Sequence, residues 1–110
     1  MTSDELKGVV LEALENIKAI DTQVLDVRTL TSLADYMIIT SGRSSRHVKS
    51  IGSHVAEAAK KHHGHVLGVE GDPGSEWVLV DLGDIIVHVM QPQVREYYQL
   101  EKLWSVAQDA

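Results

Sequence analysis

The sequence predicts one α/β domain in which a mixed sheet of about five strands is flanked by helices. Its 110 residues are enough for a single hydrophobic core, and short β-branched runs alternate along the chain with longer amphipathic segments. The clearest strand signal runs from Glu76 to Met90, EWVLVDLGDIIVHVM, and is typical of a β-hairpin that turns at Leu82 and Gly83. We therefore expect residues 1–110 to fold as one domain around this hairpin.

The predicted hairpin has two different faces. With that turn, Asp81 lies opposite Asp84 and Trp77 lies opposite His88. Because side chains alternate along a strand, one face is entirely aliphatic and suits a core, whereas the other is mixed. The aliphatic face comprises Val78, Val80, Ile85, Val87 and Val89; the mixed face comprises Trp77, Leu79, Ile86 and His88, with Asp81 and Asp84 at its tip. A partner, a covering helix or a reaction would each account for the mixed face.

Three helices are expected from apolar residues that recur every three or four positions. They are predicted over residues 2–19, 44–63 and 92–104. Thr2 and Glu5 have the spacing of a capping box at the first helix. Gly64 ends the second helix, and Pro92 opens the third near its first position.

Three further strands are predicted at Val24–Arg28, Asp35–Ser41 and His65–Val69. The apolar centre of Asp35–Ser41 indicates a central strand covered on both faces. Strand, helix and strand from Asp35 to Val69 form a β-α-β unit, which predicts a right-handed crossover and parallel pairing of its strands. The sheet should therefore be mixed, with a turn at Asp72–Ser75 before the hairpin.

Composition narrows the class of protein. The absence of cysteine excludes disulfides and cysteine nucleophiles and fits a reducing compartment. No segment approaches the roughly 18 apolar residues of a membrane span, so we expect a soluble, cytoplasmic protein. The net charge of −6 disfavours broad contact with nucleic acid phosphates. Residues 43–64 nevertheless hold five Lys and Arg against one Glu, and residues 65–84 hold five carboxylates and no Lys or Arg. Such a split is more typical of solvated faces than of a binding site.

The sequence gives only weak evidence for catalytic residues. Asp81 and Asp84 could hold a divalent metal for phosphoryl or nucleotidyl transfer, because hard cations prefer paired carboxylate oxygens. A tight turn also favours Asp, and helix capping accounts for the Ser41-Gly42-Arg43-Ser44 turn without a bound anion. No phosphate-binding glycine loop supports the catalytic hypothesis.

Histidine and serine give no stronger catalytic signal. The histidines at the end of the second helix, His62, His63 and His65, have no fourth ligand near them in sequence. The chain also lacks a G-x-S-x-G nucleophile elbow. We therefore predict no catalytic residue, no metal site and no cofactor.

The segment REYYQLEKLW, Arg95 to Trp104, holds three of the five aromatic residues. On a helix some of these side chains must pack and others must emerge. Core packing is the default, yet Tyr, Trp and Arg carry much of the energy at protein interfaces. Tyr97 and Tyr98 are thus a second candidate for a partner surface.

Five stretches together resemble one known family. They are VLDVR at Val24–Arg28, LADYMIITSGRSSRHV at Leu33–Val48, VEG at Val69–Gly71, EWVLVDLGDIIVHVM at Glu76–Met90 and REYYQLEKLW at Arg95–Trp104. The ordered set resembles the ribosomal silencing factor family, also called Iojap-like proteins, and covers almost the whole chain. The resemblance implies a nucleotidyltransferase-like topology. The paired carboxylate motif that such enzymes carry after a glycine-serine turn is missing here, which favours a binding protein over an enzyme.

The resemblance also implies a function. Such proteins bind the large ribosomal subunit through ribosomal protein number fourteen, with little direct RNA contact, and block joining of the small subunit. Translation is thereby repressed when nutrients are limiting. Carried over to this chain, the expected partner-binding residues are Trp77, Leu79, Asp81, Tyr97 and Tyr98. A homodimer of the free chain is left open, as are two competing classes: a metal-dependent nucleotidyltransferase that uses Asp81 and Asp84, and a plain dimeric adaptor.

Overall fold

The computed structural model describes residues 2–62, 64–71, 74–100 and 102. Its elements are α1 (Ser3–Asn16), β1 (Ile20–Asp26), β2 (Tyr36–Ser41), α2 (Ser45–Lys61), β3 (Gly68–Gly71), β4 (Trp77–Asp81), β5 (Ile85–Met90) and α3 (Pro92–Tyr98). The expectations for His63, for Asp72 and Pro73 of the predicted turn, and for Trp104 lie outside the described residues.

The five strands form one mixed sheet in the order β1-β2-β5-β4-β3. Among the described strands, β2 and β5 pair in parallel, and the other neighbouring pairs are antiparallel. The helices α1 and α2 cover one face and enclose the larger apolar core. On the opposite face, Val94 of α3 and Leu100 just after it pack against a smaller cluster. The predicted α/β domain with a mixed five-stranded sheet is confirmed.

The helices begin near the predicted residues but end earlier. The predicted capping box is present: the Glu5 backbone N–H donates to Thr2 Oγ1 at 3.1 Å. Helix α1 ends at Asn16 because Lys18 adopts a left-handed backbone with φ of 59°. Helix α3 ends at Tyr98 because Gln99 is also left-handed, with φ of 49°. The prediction of one helix over residues 92–104 is therefore wrong at Gln99.

The predicted pairing of the β-α-β unit is wrong. Strand β2 pairs in parallel with β5, whereas β3 lies at the far edge and pairs antiparallel with β4. The β3 strand still runs in the same direction as β2, but the β4–β5 hairpin is inserted between them. Burial explains this order: β5 is buried along nearly its whole length, while three of the four β3 residues are exposed, which suits an edge strand.

The hairpin is shifted by two residues from the predicted register. The Leu82 N–H donates to the Ile85 carbonyl at 2.9 Å, so Gly83 and Asp84 form the loop instead of Leu82 and Gly83. Gly83 has φ of 84°, and its N–H donates to Asp81 Oδ1 at 2.9 Å, which stabilises this turn.

The shift separates the residue pairs predicted to face each other. Asp81 lies opposite Ile86 instead of Asp84, and Trp77 lies opposite Met90 instead of His88. An even shift keeps every side chain on its predicted face. The predicted aliphatic face is accordingly buried in the larger core, with Val78, Val80, Ile85, Val87 and Val89 at its centre.

Helix α2 packs closely against β4 of the sheet at Gly52. A Cβ atom at Gly52 would meet Val78 Cγ1 at 2.8 Å, whereas a Cβ atom at Gly8 of α1 would meet no heavy atom within 4 Å. Replacing either glycine by alanine gains about 1 kcal/mol of helix propensity. At Gly52 we expect overpacking to cost about 1–3 kcal/mol in addition.

Gly8→Ala should therefore raise the free energy of unfolding, and Gly52→Ala should be less stable than Gly8→Ala by about 1–3 kcal/mol. Urea unfolding of the two variants and the native chain measures this difference. Equal stabilisation by both substitutions would show that the helix does not press on the sheet at Gly52.

Candidate binding surface

A shallow depression brings together three of the five predicted partner-binding residues. It has a volume of about 470 Å³ and is lined by Trp77 and Leu79 of β4, Tyr98 of α3, and Glu70 and Gly71 of β3. Tyr97 stands beside it, with its ring in contact with Tyr98 at a centroid distance of 5.0 Å. Four of the predicted residues thus form one continuous surface, which we call the aromatic depression (Glu70, Gly71, Trp77, Leu79 and Tyr98, with Tyr97 at its rim).

The depression exists because helix α3 covers only part of its face of the sheet. Alternation along β4 directs Val78 and Val80 into the larger core and leaves Trp77 and Leu79 on the opposite face, both half-buried. Helix α3 has seven residues and is too short to cover β4. The smaller apolar cluster beneath it consists of Leu25, Val27, Ala34, Met37, Ile39 and Met90. Trp77 packs at the edge of that cluster, so it is partly a core residue and partly open to a partner.

Four rings form a continuous series from the interior to the surface. The Trp77 ring lies 5.7 Å from that of His88 and 4.9 Å from that of Tyr98 between centroids, both in tilted geometry. Tyr97 then meets Tyr98 edge-on. His88 is only 7% exposed, whereas Tyr98 is 54% and Tyr97 81% exposed. Tilted and edge-on pairs are favourable arrangements of aromatic quadrupoles, so this series stabilises the orientation of each ring.

His88 orients the indole of Trp77. The Trp77 Nε1–H donates to His88 Nδ1 at 2.9 Å, a contact made diagonally across the β4–β5 pair. Because the indole nitrogen can only donate, Nδ1 must accept, and the imidazole is neutral with its proton on Nε2. Burial lowers the pKa of His88 to about 4, which keeps the ring in this form at neutral pH.

Asp81 does not reach the depression. It lies four residues along β4 from Trp77, a distance of about 13 Å in an extended strand. Its Oδ1 accepts the Gly83 N–H, while Asp84 is exposed in the loop. Among the residues that the structure describes, no three His or carboxylate side chains are grouped so that they could hold a metal ion.

Sequence reasoning missed the contribution of Arg95, which fastens α3 to the sheet. Its side chain is buried, and Nη1 donates to Ser41 Oγ at 3.1 Å and to the Ile20 carbonyl at 3.5 Å. These contacts join α3 to the adjoining ends of β1 and β2 and thereby position Tyr98 over Trp77. A buried Arg has no local sequence signature, because its partners come from residues that are distant in the chain.

Glu70 and Gly71 were also missed as lining residues. They belong to an edge strand whose place in the sheet depends on the β3–β4 pairing, in which Gly71 lies opposite Val78. No pattern within GVEG specifies that neighbour.

Fold and surface together define a small α/β domain with an exposed, ordered group of aromatic side chains. The protein-family model "Ribosomal silencing factor during starvation" matches residues 1–110. Ribosomal silencing factor RsfS of Chromobacterium violaceum is 45% identical over 105 residues, which cover 96% of this chain and 86% of that protein. RsfS of Bacillus subtilis is 36% identical over 97% of this chain and 91% of its own length. The chain belongs to the ribosomal silencing factor family.

Solved structures agree with this assignment. A crystal structure of a Chromobacterium violaceum protein, 45% identical, superposes with a TM-score of 0.92 over 96% of this chain and 88% of that chain. A Bacillus halodurans protein, 33% identical, gives a TM-score of 0.82 over 92% of this chain and 94% of its own. Within the described residues, no helix has the length and apolar character needed to cross a membrane.

The His88 contact predicts how stability depends on pH. A histidine in the unfolded chain titrates near pH 6.5, whereas the pKa of His88 in the folded chain is about 4. Above pH 6.5 both states are neutral at this position. As the pH falls from 6.5 to 4, the unfolded chain binds a proton that the folded chain does not, so His88 lowers the free energy of unfolding by about 3 kcal/mol in total.

Urea unfolding of His88→Gln and of His62→Gln, which alters an exposed histidine at the end of α2, isolates this effect. The fall in stability between pH 6.5 and 4 should be smaller in His88→Gln than in the native chain or in His62→Gln. A native-like fall in His88→Gln would mean that other groups cause it.

Proposed function

We propose that this chain binds the large ribosomal subunit through ribosomal protein number fourteen and that its bulk blocks joining of the small subunit. Translation in the cytoplasm would then be repressed when nutrients are limiting. The single observation that carries the proposal is the aromatic depression, in which half-buried Trp77 is framed by exposed tyrosine rings. Family membership supplies the ribosome as the setting.

The depression has the chemistry of an interface centre. Trp and Tyr bury large areas at low cost in side-chain entropy and are enriched among the residues that dominate binding energy. Trp77 is held in place before binding by its hydrogen bond to His88 and by the Tyr98 ring. Such preorganisation reduces the entropy lost on docking, so more of the interaction energy is expressed as affinity.

Charge favours a basic protein as the partner. The chain carries a net charge of −6, and Glu70 and Glu76 are exposed on or beside the depression. A carboxylate-rimmed apolar surface complements a basic ribosomal protein, whose long-range attraction speeds encounter. Asp81 would act at the rim of this interface, because it lies along β4 from the centre. Steric exclusion of the small subunit then requires only affinity and position, and little contact with RNA at this surface.

The nucleotidyltransferase alternative fits the observed geometry less well. Asp81 stabilises the hairpin turn through Gly83, and in the hairpin register it lies opposite Ile86 instead of Asp84. We propose that the chain is a regulatory binding protein and not an enzyme. In a plain dimeric adaptor, a second copy of the chain would occupy the same aromatic depression. Such an adaptor would not bind the large subunit, whereas a silencing factor would.

Trp77→Ala should weaken binding to purified large subunits about thirtyfold, which corresponds to about 2 kcal/mol for an interface anchor. Tyr97→Ala should also weaken binding while leaving stability within about 0.5 kcal/mol, because the side chain is 81% exposed. Cosedimentation and thermal unfolding of each variant provide the two measurements.

Leu33→Ala is the matched control for this series. Leu33 is an equally exposed apolar side chain, at 82%, and it precedes β2 at the opposite end of the sheet from Trp77. Its truncation should leave subunit binding unchanged. Normal binding by both Trp77→Ala and Tyr97→Ala would show that the aromatic depression is not part of the interface. Loss of binding by Leu33→Ala would show that the assay lacks specificity.

The double variant Asp81→Asn/Asp84→Asn tests the enzymatic alternative. Asparagine can still accept the Gly83 N–H through its side-chain oxygen, so the turn should persist. We expect no nucleotide turnover with magnesium or manganese from either the native chain or the double variant. Turnover by the native chain that disappears in the variant would establish the nucleotidyltransferase alternative instead.

A further inference from the structure

A second exposed surface of the molecule carries three basic side chains. It consists of Arg43, in the turn after β2, and of Arg46 and Lys49 on the first turns of α2; we call these three residues the basic corner. All three are exposed, and residues 36–56 contain no carboxylate. The ion pairs seen among the described residues join Lys7 to Asp4 and Arg28 to Asp26, and none involves the basic corner.

Helix stability does not account for these charges. Lys60 and Lys61 lie in the last turn of α2, where positive charge complements the carbonyl end of a helix. Arg46 and Lys49 lie at the opposite end, where the helix dipole is positive and acidic residues are preferred, and the first turn of α2 holds none. The basic corner therefore costs the isolated fold a little stability, and an external anion would offset that cost.

The basic corner borders the same end of the sheet as the aromatic depression. The Gly42 N–H, one residue before Arg43, donates to the Met90 carbonyl at 3.2 Å, and Met90 lies opposite Trp77. Two strand spacings, about 10 Å, thus separate this turn from Trp77 across the sheet. A partner seated in the depression on the α3 face would meet Arg43 on extending around this end of the sheet, with Arg46 and Lys49 beyond it on the α2 face.

We infer that the basic corner binds phosphates of ribosomal RNA adjacent to the ribosomal protein on which the aromatic depression docks. This inference rests on the proposed function, because a ribonucleoprotein surface presents phosphates close beside a basic protein. Arginine suits the role, since its planar guanidinium forms paired hydrogen bonds to phosphate oxygens. Two or three such contacts supplement a docking mode in which the protein partner supplies most of the affinity.

The test compares two charge-matched double variants of the same helix region. Arg43→Gln/Arg46→Gln removes two charges from the basic corner, and Lys60→Gln/Lys61→Gln removes two charges from the far end of α2. All four side chains are exposed, so both variants should fold, which thermal unfolding checks. Binding to purified large subunits is measured between about 0.05 and about 0.3 M salt, a range over which the Debye length falls about 2.4-fold.

We expect the slope of log affinity against log salt to become shallower by about 1.4–1.8 in Arg43→Gln/Arg46→Gln. The variant loses two phosphate contacts, so its binding releases fewer counterions. Affinity at about 0.1 M salt should fall at least about tenfold. The Lys60→Gln/Lys61→Gln control should match the native chain in both quantities. Hydroxyl-radical footprinting should show ribosomal RNA backbone protected by the native chain and the control, and not by Arg43→Gln/Arg46→Gln.

Each contrary outcome has a distinct meaning. If the native chain binds subunits and Arg43→Gln/Arg46→Gln binds with the same slope and footprint, the RNA contact is wrong while the proposed function stands. A shallower slope with no protected RNA in the native complex would assign the basic corner to an acidic protein. In a separate assay with phosphatidylglycerol vesicles, binding by the native chain that is lost in Arg43→Gln/Arg46→Gln, with subunit binding unchanged, would assign the basic corner to a membrane surface. Failure of the native chain to bind subunits would overturn both proposals.

Discussion

The parallel pairing of β2 with β5 is the constraint on which the rest of the structure depends. These two strands are the most completely buried elements of the sheet, and each leads at its carboxyl end into a helix on a different face. Because α2 and α3 start beside each other and diverge, one face receives two long helices and the other receives a single short one. The under-covered face is where β4 exposes Trp77 and Leu79.

Much of the fold follows from patterns that are local in the chain. The two faces of the β4–β5 hairpin were predictable because side chains alternate between the faces at every residue. A register shift of two residues therefore leaves each side chain on the same face. The register itself was not predictable, because it depends on the Asp81 side chain accepting the Gly83 N–H. The position of β3 depends on competition among strands for the sheet centre, which no single stretch encodes.

The candidate surface was also predictable from the sequence only in part. Alternation identified the mixed face with Trp77 and Leu79, and the aromatic run marked Tyr97 and Tyr98, but the family resemblance was what joined them into one set. Asp81 was grouped with them on the strength of the family resemblance, and distance along the strand places it outside the depression. The helix end at Gln99 was missed because glutamine is not a usual residue for a left-handed helix terminus. That early end leaves β4 uncovered.

The bond between Trp77 and His88 has a consequence for how this surface can vary. The half-buried indole donates to the imidazole of His88, which is buried and has little access to water. Replacing His88 alone by an aliphatic residue would remove this acceptor of the indole N–H, and replacing Trp77 alone would remove the donor to the buried imidazole nitrogen. Acceptable exchanges must therefore occur in pairs or preserve a donor facing an acceptor. The two positions, eleven residues apart, therefore restrict each other's substitution.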